Sequence, residues 1–255
     1  MLYGLYLSAT GVMTNSYRQD VIANNLANAE TVGFKRDLAL FQQRPTEAQA
    51  RGGVSPSQTN AVMEALGGGV YASPSLVDHT QGELESTGRE LDVAIVGQGY
   101  YQVQHGDQVN LTRNGGFILN HRNRLALSND ENFEVLDVKG KPITLDPTIP
   151  PVIARDGTVS QNSKNIATIS VVDVPDPTQL TKTGGTMLAY PDLKQLRPAN
   201  GVALRSEFQE RANVEPSSEL TQLMEAQRQL EANANMIKYQ DQMLSKLVNE
   251  VGKIS

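Results

Sequence analysis

The pattern of polar and apolar positions changes period along the chain. From about Leu2 to Asn28, the residues Leu5, Ala9, Val12, Ala23 and Leu26 recur at spacings of three and four, and polar Ser16 and Gln19 share their register. That period is helical. Gly4 and Gly11 weaken the helix by roughly 1 kcal/mol each relative to Ala, and an isolated helix of this kind is marginal in water. It needs a partner. From just after Pro216 to about Val251 the chain is free of Gly and Pro. There Leu220, Leu223, Gln227, Leu230, Ala234, Ile237, Asp241, Leu244, Val248 and Val251 alternate by three and four. This is a sustained heptad seam on a helix roughly 50 Å long. Met224, Met236, Met243 and Leu247 widen it, so the helix is expected to touch more than one neighbour. Gln227 and Asp241 on the seam argue against a single dry dimer, because polar seam positions select register or partners. An ordinary bundle or coiled-coil helix remains the plain alternative.

Between the ends the period falls to two. "LDVAIV", "YYQVQ", "VNLTR", "GFILN", "FEVLDV", "PITL" and "ATISVVDV" read as short strands. "HGD", "RNGG", "VKGKP" and "ARDGT" read as the turns between them. Residues 44–75 are rich in Gly, Ser, Pro, Gln and Ala, which predicts an extended connector. The expected fold is a mainly β central domain inserted between N- and C-terminal α-helices, α+β overall and elongated. Its expected parts are an N-terminal helix and signature at 1–43, a connector at 44–80, a β domain at 81–200 and a C-terminal heptad helix at 201–255. Terminal helices that each need a partner can pair with one another or with those of other copies, and the second option makes a polymer.

Composition narrows the chemistry. A net charge of −6 argues against a broad nucleic-acid surface. The chain has no Cys, which excludes disulfides and thiolate metal sites. No apolar run approaches membrane-spanning length, and "MLYGLYLSATGVM" lacks the basic start and cleavage site of a signal peptide. The hydrophobic share of 39% suggests a multi-part shape rather than one thick core. His79, His105 and His121 are scattered through polar turns, in neither metal nor triad spacing, and read as solvated residues. "GQGYY" lacks the third glycine of a dinucleotide fingerprint, "GGG" at 67–69 lacks the Lys of a phosphate loop, and Asp156 in "ARDGTVSQN" has no ladder of calcium ligands. "HRNR" at 121–124 reads as a solvated loop. No catalytic residue, cofactor or metal is expected.

The stretch "ANNLANAETVGFKR" places Asn24, Asn25 and Asn28 at a helix end, just before Gly33 and Phe34. Asn and Gly tolerate left-handed backbone and end many helices. In context, "RQDVIANNLANAETVGFKR" resembles the N-terminal signature of the bacterial flagellar rod and hook proteins. "GELESTGRELDVAIVGQGYYQV", "LTRNGGFILN", "GKPITL" and "ARDGTVS" resemble the family's central motifs, and "ANVEPSSELTQLMEAQRQLEANANMIKYQDQML" its closing helix. Two positions depart from the family pattern: Ala212 where a Ser is common, and Leu230 where an aromatic is usual. "RDLALFQQRP" after the signature is nearer to the proximal than to the distal rod proteins, and a full hook protein is normally much longer.

The resemblance implies a structural subunit that polymerises through its terminal helices into a torque-transmitting axial tube. It implies export through the flagellar apparatus without a cleaved signal peptide, residence in the periplasm-spanning basal-body rod, and partners that are copies of itself and other axial proteins. No nucleic acid and no small-molecule substrate are expected. The packing residues it points to are Leu5, Val12, Asn24, Asn25, Leu26, Asn28, Gly33, Phe34, Leu220, Leu223, Gln227, Leu230, Ile237 and Leu244. Asn28 or Gly33 is expected to take the turn, Phe34 to anchor against a neighbour, and Asn24 and Asn25 to bond across subunits. If Gly33 holds a positive φ, Gly33→Val should be costly and Gly33→Asn milder. The competing readings are a distal rod or hook-type subunit, a secreted β-domain hydrolase or carbohydrate-binding protein on a helical stalk, and a cytoplasmic scaffold of similar order. An enzyme has no need of a heptad that runs on to Val251.

Overall fold

The computed structural model describes residues 2–45, 69–199 and 201–251. Helix α1, Leu2–Ala27, and helix α2, Pro216–Val251, lie at the two ends of the described chain, and strands fill most of what lies between. The fold is α+β, with a mainly β region between two terminal helices. Two compact units are present, and they do not follow chain order. The first comprises the described residues within Met1–Leu26, Asp37–Leu76 and Pro216–Ser255; the second comprises Ala27–Arg36 and Val77–Glu215.

In the first unit, α1 and α2 run antiparallel. A Cβ placed on Gly4 would lie 2.8 Å from Gln240 Nε2, and one on Gly11 would lie 2.8 Å from Asn233 Nδ2. Each step of seven along α1 is thus matched by a step of seven back along α2. The expected apolar stripe Leu5, Val12 and Leu26 is half-buried. The deepest positions, Ser8, Ile22 and Asn25, lie on the adjacent stripe, which alternates by four and three and includes Gly4 and Gly11. Apart from Ile22 the residues named on this stripe are small or polar, so hydrophobic spacing does not reveal it. On α2, Leu223, Leu230, Ala234, Ile237 and Leu244 are half-buried, whereas Gln227 and Asp241 are exposed, Leu220 is 49% exposed and Val248 71%. The side chain of Val251 and most of the expected connector, residues 46–68, lie outside the described residues.

The segments flanking that connector pair as strands β1, Asp37–Gln43, and β2, Val70–Val77. Neither reads clearly as a strand, because "DLALFQQ" is only half alternating and Pro74 interrupts "VYASPSLV". Proline is tolerated only where no partner needs its missing N–H, as at an edge. Tyr17 of α1 meets Phe41 of β1 edge to face, with ring centroids 6.3 Å apart.

In the second unit, a nine-stranded sheet is built around Tyr100–His105, which pairs antiparallel with Gln108–Thr112, Asp130–Val135 and Val171–Asp173. Successive side chains of a strand point to opposite faces. Here both faces are covered: Tyr101, Val103 and Met187 enter one core, while Tyr100, Leu111 and Leu188 enter another. Tyr101 is fully buried, packs edge to face on Phe117 at 5.1 Å, and donates its hydroxyl to Val93 O at 2.8 Å. Each buried aliphatic of this core contributes about 1.5–3 kcal/mol relative to exposure.

Three expected elements differ. "PITL" forms only isolated bridges, Leu136 to Pro142 and Arg124 to Thr144, although Ile143 and Leu145 are buried. "RNGG" is no surface turn: Arg113 and Asn114 are 3% and 2% exposed. Residues 203–210, assigned above to the C-terminal helix segment, are strands that pair with Val93–Val96 and Leu84–Ser86.

Candidate functional site

The N-terminal signature and the start of the closing motif meet inside the second unit. Helix α1 ends at Ala27, and Thr31 N–H donates to Asn28 O at 3.0 Å, closing a turn. Gly33 then takes φ +69°, and its N–H donates to Glu210 O at 2.7 Å. A Cβ at this position would lie 2.4 Å from Asn114 N and 2.5 Å from Arg113 C. The glycine is therefore required twice, once for its φ and once for the backbone pressed against it. Asn28 is not among the residues with positive φ. The expectation that Asn would be mild at 33 needs correction: Asn tolerates the φ, but it carries the same obstructed Cβ as Val.

Phe34 is 1% exposed and packs with Ala29, Ala212 and Val214. The Lys182 ammonium sits 4.0 Å from the centre of its ring, in the range of a cation–π contact. Phe34 thus anchors within its own chain, not on a neighbour. A serine hydroxyl at 212 would be enclosed in this apolar cluster, and Ala212 has none.

Around this cluster lies a buried polar knot. Lys35 Nζ reaches Glu210 Oε1 at 2.5 Å and Thr80 O at 2.7 Å. The other carboxylate oxygen of Glu210 accepts from Arg113 Nη1 at 3.4 Å, and Arg113 Nη2 donates to Gly97 O at 2.8 Å. Gly82 N–H donates to Glu210 Oε1 at 2.9 Å. Lys35, Arg113 and Glu210 are all at most 3% exposed. Burial holds the Lys35 ammonium below the usual lysine range, with Glu210 opposing that shift. Asn213 adds a backbone clamp: its Oδ1 accepts from Arg36 N–H at 2.7 Å and its Nδ2 donates to Asp78 O at 2.9 Å.

The asparagines are placed differently from expectation. Asn25 is 1% exposed; its Oδ1 accepts from Asp37 N–H at 2.8 Å and its Nδ2 donates to Asp37 O at 2.9 Å. Its amide is engaged within its own chain, where it fixes the start of β1, rather than across subunits. Asn24 is exposed. Of the other expected packing residues, Leu5, Val12, Leu26, Leu223, Leu230, Ile237 and Leu244 are half-buried, and Leu220 and Gln227 are exposed.

Nothing in the local pattern marks Lys35, Arg113, Glu210 and Asn213, because a charged or polar residue in a surface-like string looks solvated. Nor does it mark Asp92, fully buried beneath Thr87 and Arg89, which bond it at 2.6 and 2.5 Å. His79 is half-buried rather than fully solvated. Its Nε2 faces Pro177 O at 3.1 Å and its Nδ1 faces the Tyr100 hydroxyl at 2.8 Å. Burial lowers the His79 pKa, and the same cause raises Tyr100 to about 12. The tyrosine therefore stays protonated and donates to a neutral ring. Among the described residues, no group of three or more His, Asp or Glu is placed to hold a metal ion. No described helix is long and apolar enough to cross a membrane.

The two halves of this knot fall in segments that resemble known proteins. The Flagella basal body rod protein family matches residues 5–35, and the Flagellar basal body rod FlgEFG protein C-terminal family matches residues 205–250. Over 98% of its length the chain is 32% identical to the flagellar basal-body rod protein FlgF of Caulobacter vibrioides, of which 98% is covered. It is 31% identical to the rod protein FlgG of Bacillus subtilis, with 98% of this chain and 99% of that one covered. The flagellar hook-basal body complex protein FlhO of Bacillus subtilis is 28% identical over the whole of both chains. With end-to-end similarity of this kind and a rod signature on each side of the Lys35–Glu210 contact, the chain belongs to the flagellar basal-body rod protein family.

Proposed function

We infer that this chain is a structural subunit of the flagellar basal-body rod, and that it assembles through its terminal helices with copies of itself and with other axial proteins of the basal body. The observation that carries the reading is the unburied apolar surface of those helices. On α2, Met236, Tyr239, Met243 and Val248 are 52%, 61%, 60% and 71% exposed. On α1, Tyr6, Leu7 and Met13 are 44%, 38% and 72% exposed. Contiguous exposed apolar surface marks an interaction site. A face repeated along two helices of a single subunit suits contacts that add further copies head to tail.

The finer reading places the subunit in the proximal rather than the distal rod, on the segment Arg36–Pro45, and has it cross the inner membrane through the flagellar export apparatus without a cleaved signal peptide. The role requires no catalytic step, cofactor or nucleic acid. The secreted-hydrolase alternative finds no support in the relatives, whose names are those of flagellar structural proteins.

Deleting the gene in its flagellated host and imaging basal bodies by electron microscopy tests the proposal. Loss of swimming with an incomplete rod is expected, together with absence of the chain from basal bodies when the export apparatus is inactivated. Normal swimming and complete rods in the deletion strain would reject it.

A further inference from the structure

Antiparallel heptad helices have a built-in ambiguity. The half-buried aliphatics Leu223, Leu230, Ile237 and Leu244 of α2 are spaced by seven. A slide of one heptad, about 10 Å, would therefore set each aliphatic where the next one was. α2 is ten residues longer than α1, 36 against 26, so there is room to slide toward the C-terminus of α2 without loss of overlap. Something other than the aliphatic stripe must choose the register.

We propose that size-matched polar layers make that choice: Gln240 filling the notch at Gly4, and Asn233 filling the notch at Gly11. This rests on the reading that the terminal helices pair, and it names the residues that set how they do so. The three atoms nearest a Cβ at Gly11 all belong to the Asn233 amide, at 2.8, 3.0 and 3.1 Å. Those nearest a Cβ at Gly4 all belong to the Gln240 amide. Continuing the same antiparallel register sets Arg18 opposite Ala226, which is fully buried. Successive layers therefore pair a minimal side chain with a long polar one, with the long partner on α2 twice and then on α1.

The series fits in one register only. Sliding α1 one heptad toward the C-terminus of α2 sets Arg18 opposite Asn233, two bulky groups in a layer that now holds one. Sliding it the other way sets Gly11 opposite Ala226, leaving a void, and carries Asn25 past the start of α2 at Pro216. Overpacked and underpacked layers are both unfavourable. The same logic accounts for two glycines in a helix interior: they lower local helix propensity and supply the depressions that read register.

The chain has no cysteine, so nitroxide labels at Ser16→Cys and Ser245→Cys, both exposed sites, report the α1–α2 distance by pulsed electron spin resonance. The otherwise unsubstituted chain should give one narrow distance. Gly11→Asn and Asn233→Gly should each broaden it or add a population displaced by about 10 Å. The exchange Gly11→Asn with Asn233→Gly keeps the number of helix glycines constant and should restore the single distance, and swimming with it. The proposal is overturned if both single variants keep the original distance, or if the exchange fails to restore it while circular dichroism shows helix and sheet intact. A broad distribution already present without these substitutions would instead overturn the pairing of the terminal helices, and with it the route to assembly.

Discussion

Gly33 shows how much one missing atom decides. Its φ of +69° alone excludes β-branched residues, at a cost of about 1–3 kcal/mol. Backbone atoms of Arg113 and Asn114 within 2.7 Å of a prospective Cβ exclude every other side chain as well. Gly33→Ala, Gly33→Asn and Gly33→Val should therefore all lower the unfolding free energy of the unassembled protein measured in urea, each by about 3 kcal/mol or more. An Asn variant within about 0.5 kcal/mol of the parent would show that the contact relaxes. Glu210 makes the second residue-scale case. Glu210→Ala leaves Lys35 and Arg113 buried without their carboxylate and should cost about 3–5 kcal/mol. Lys35→Met leaves Glu210 with Arg113 and the Gly82 N–H, and should cost about 1–2 kcal/mol. Equal losses from the two changes, in the same unfolding experiment, would mean that Glu210 is not the hub.

At the scale of elements, α2 was the most legible part of the chain. A helix whose only proline is its first residue, Pro216, with no Gly and with regular apolar spacing, has no competing structure. Which side of it is covered was not legible, because a heptad seam widened by Met and Leu has several apolar sides. Leu220 and Val248 stay exposed, while Ile237 is half-buried. Leu220→Asp and Val248→Asp should leave the soluble protein within about 0.5 kcal/mol of the parent, yet abolish swimming. Ile237→Asp should do both kinds of damage, costing about 1–3 kcal/mol in the soluble chain. If Leu220→Asp and Val248→Asp cells swim normally, those positions do not pack in the rod. The β1–β2 pair was illegible for a different reason: its two strands are separated in sequence by residues 44–69, and each is a weak strand by itself.

At the scale of the molecule, acid sensitivity tests how the second unit is held. His79 lies half-buried among Tyr100, Pro177, Asp78 and the cations Lys35 and Arg113, and its pKa is lowered, first by burial. The unfolded chain therefore takes up this proton before the folded one as pH falls below about 6.5. Its contribution to stability is complete above that pH, is lost between about 6.5 and the depressed folded value, and is constant below. Urea midpoints measured across pH 5–7.5 should fall on acidification in that window, and His79→Gln should flatten this part of the curve. A profile identical in the two proteins would place the acid sensitivity elsewhere.

The sequence by itself determined the order of elements, the two terminal helices, the β character of the middle and the kinship with rod and hook proteins. Each is written locally, in spacing, turn residues and contiguous motifs. Only the tertiary structure decided that 27–36 packs with strand 208–210, that Asn25 holds Asp37 and not a neighbour, and that Glu210 gathers two buried cations. Those facts depend on residues up to 177 positions apart. A charged or polar letter carries no mark of burial, since water and a buried partner satisfy the same groups equally well, and only the folded chain shows which of the two is present.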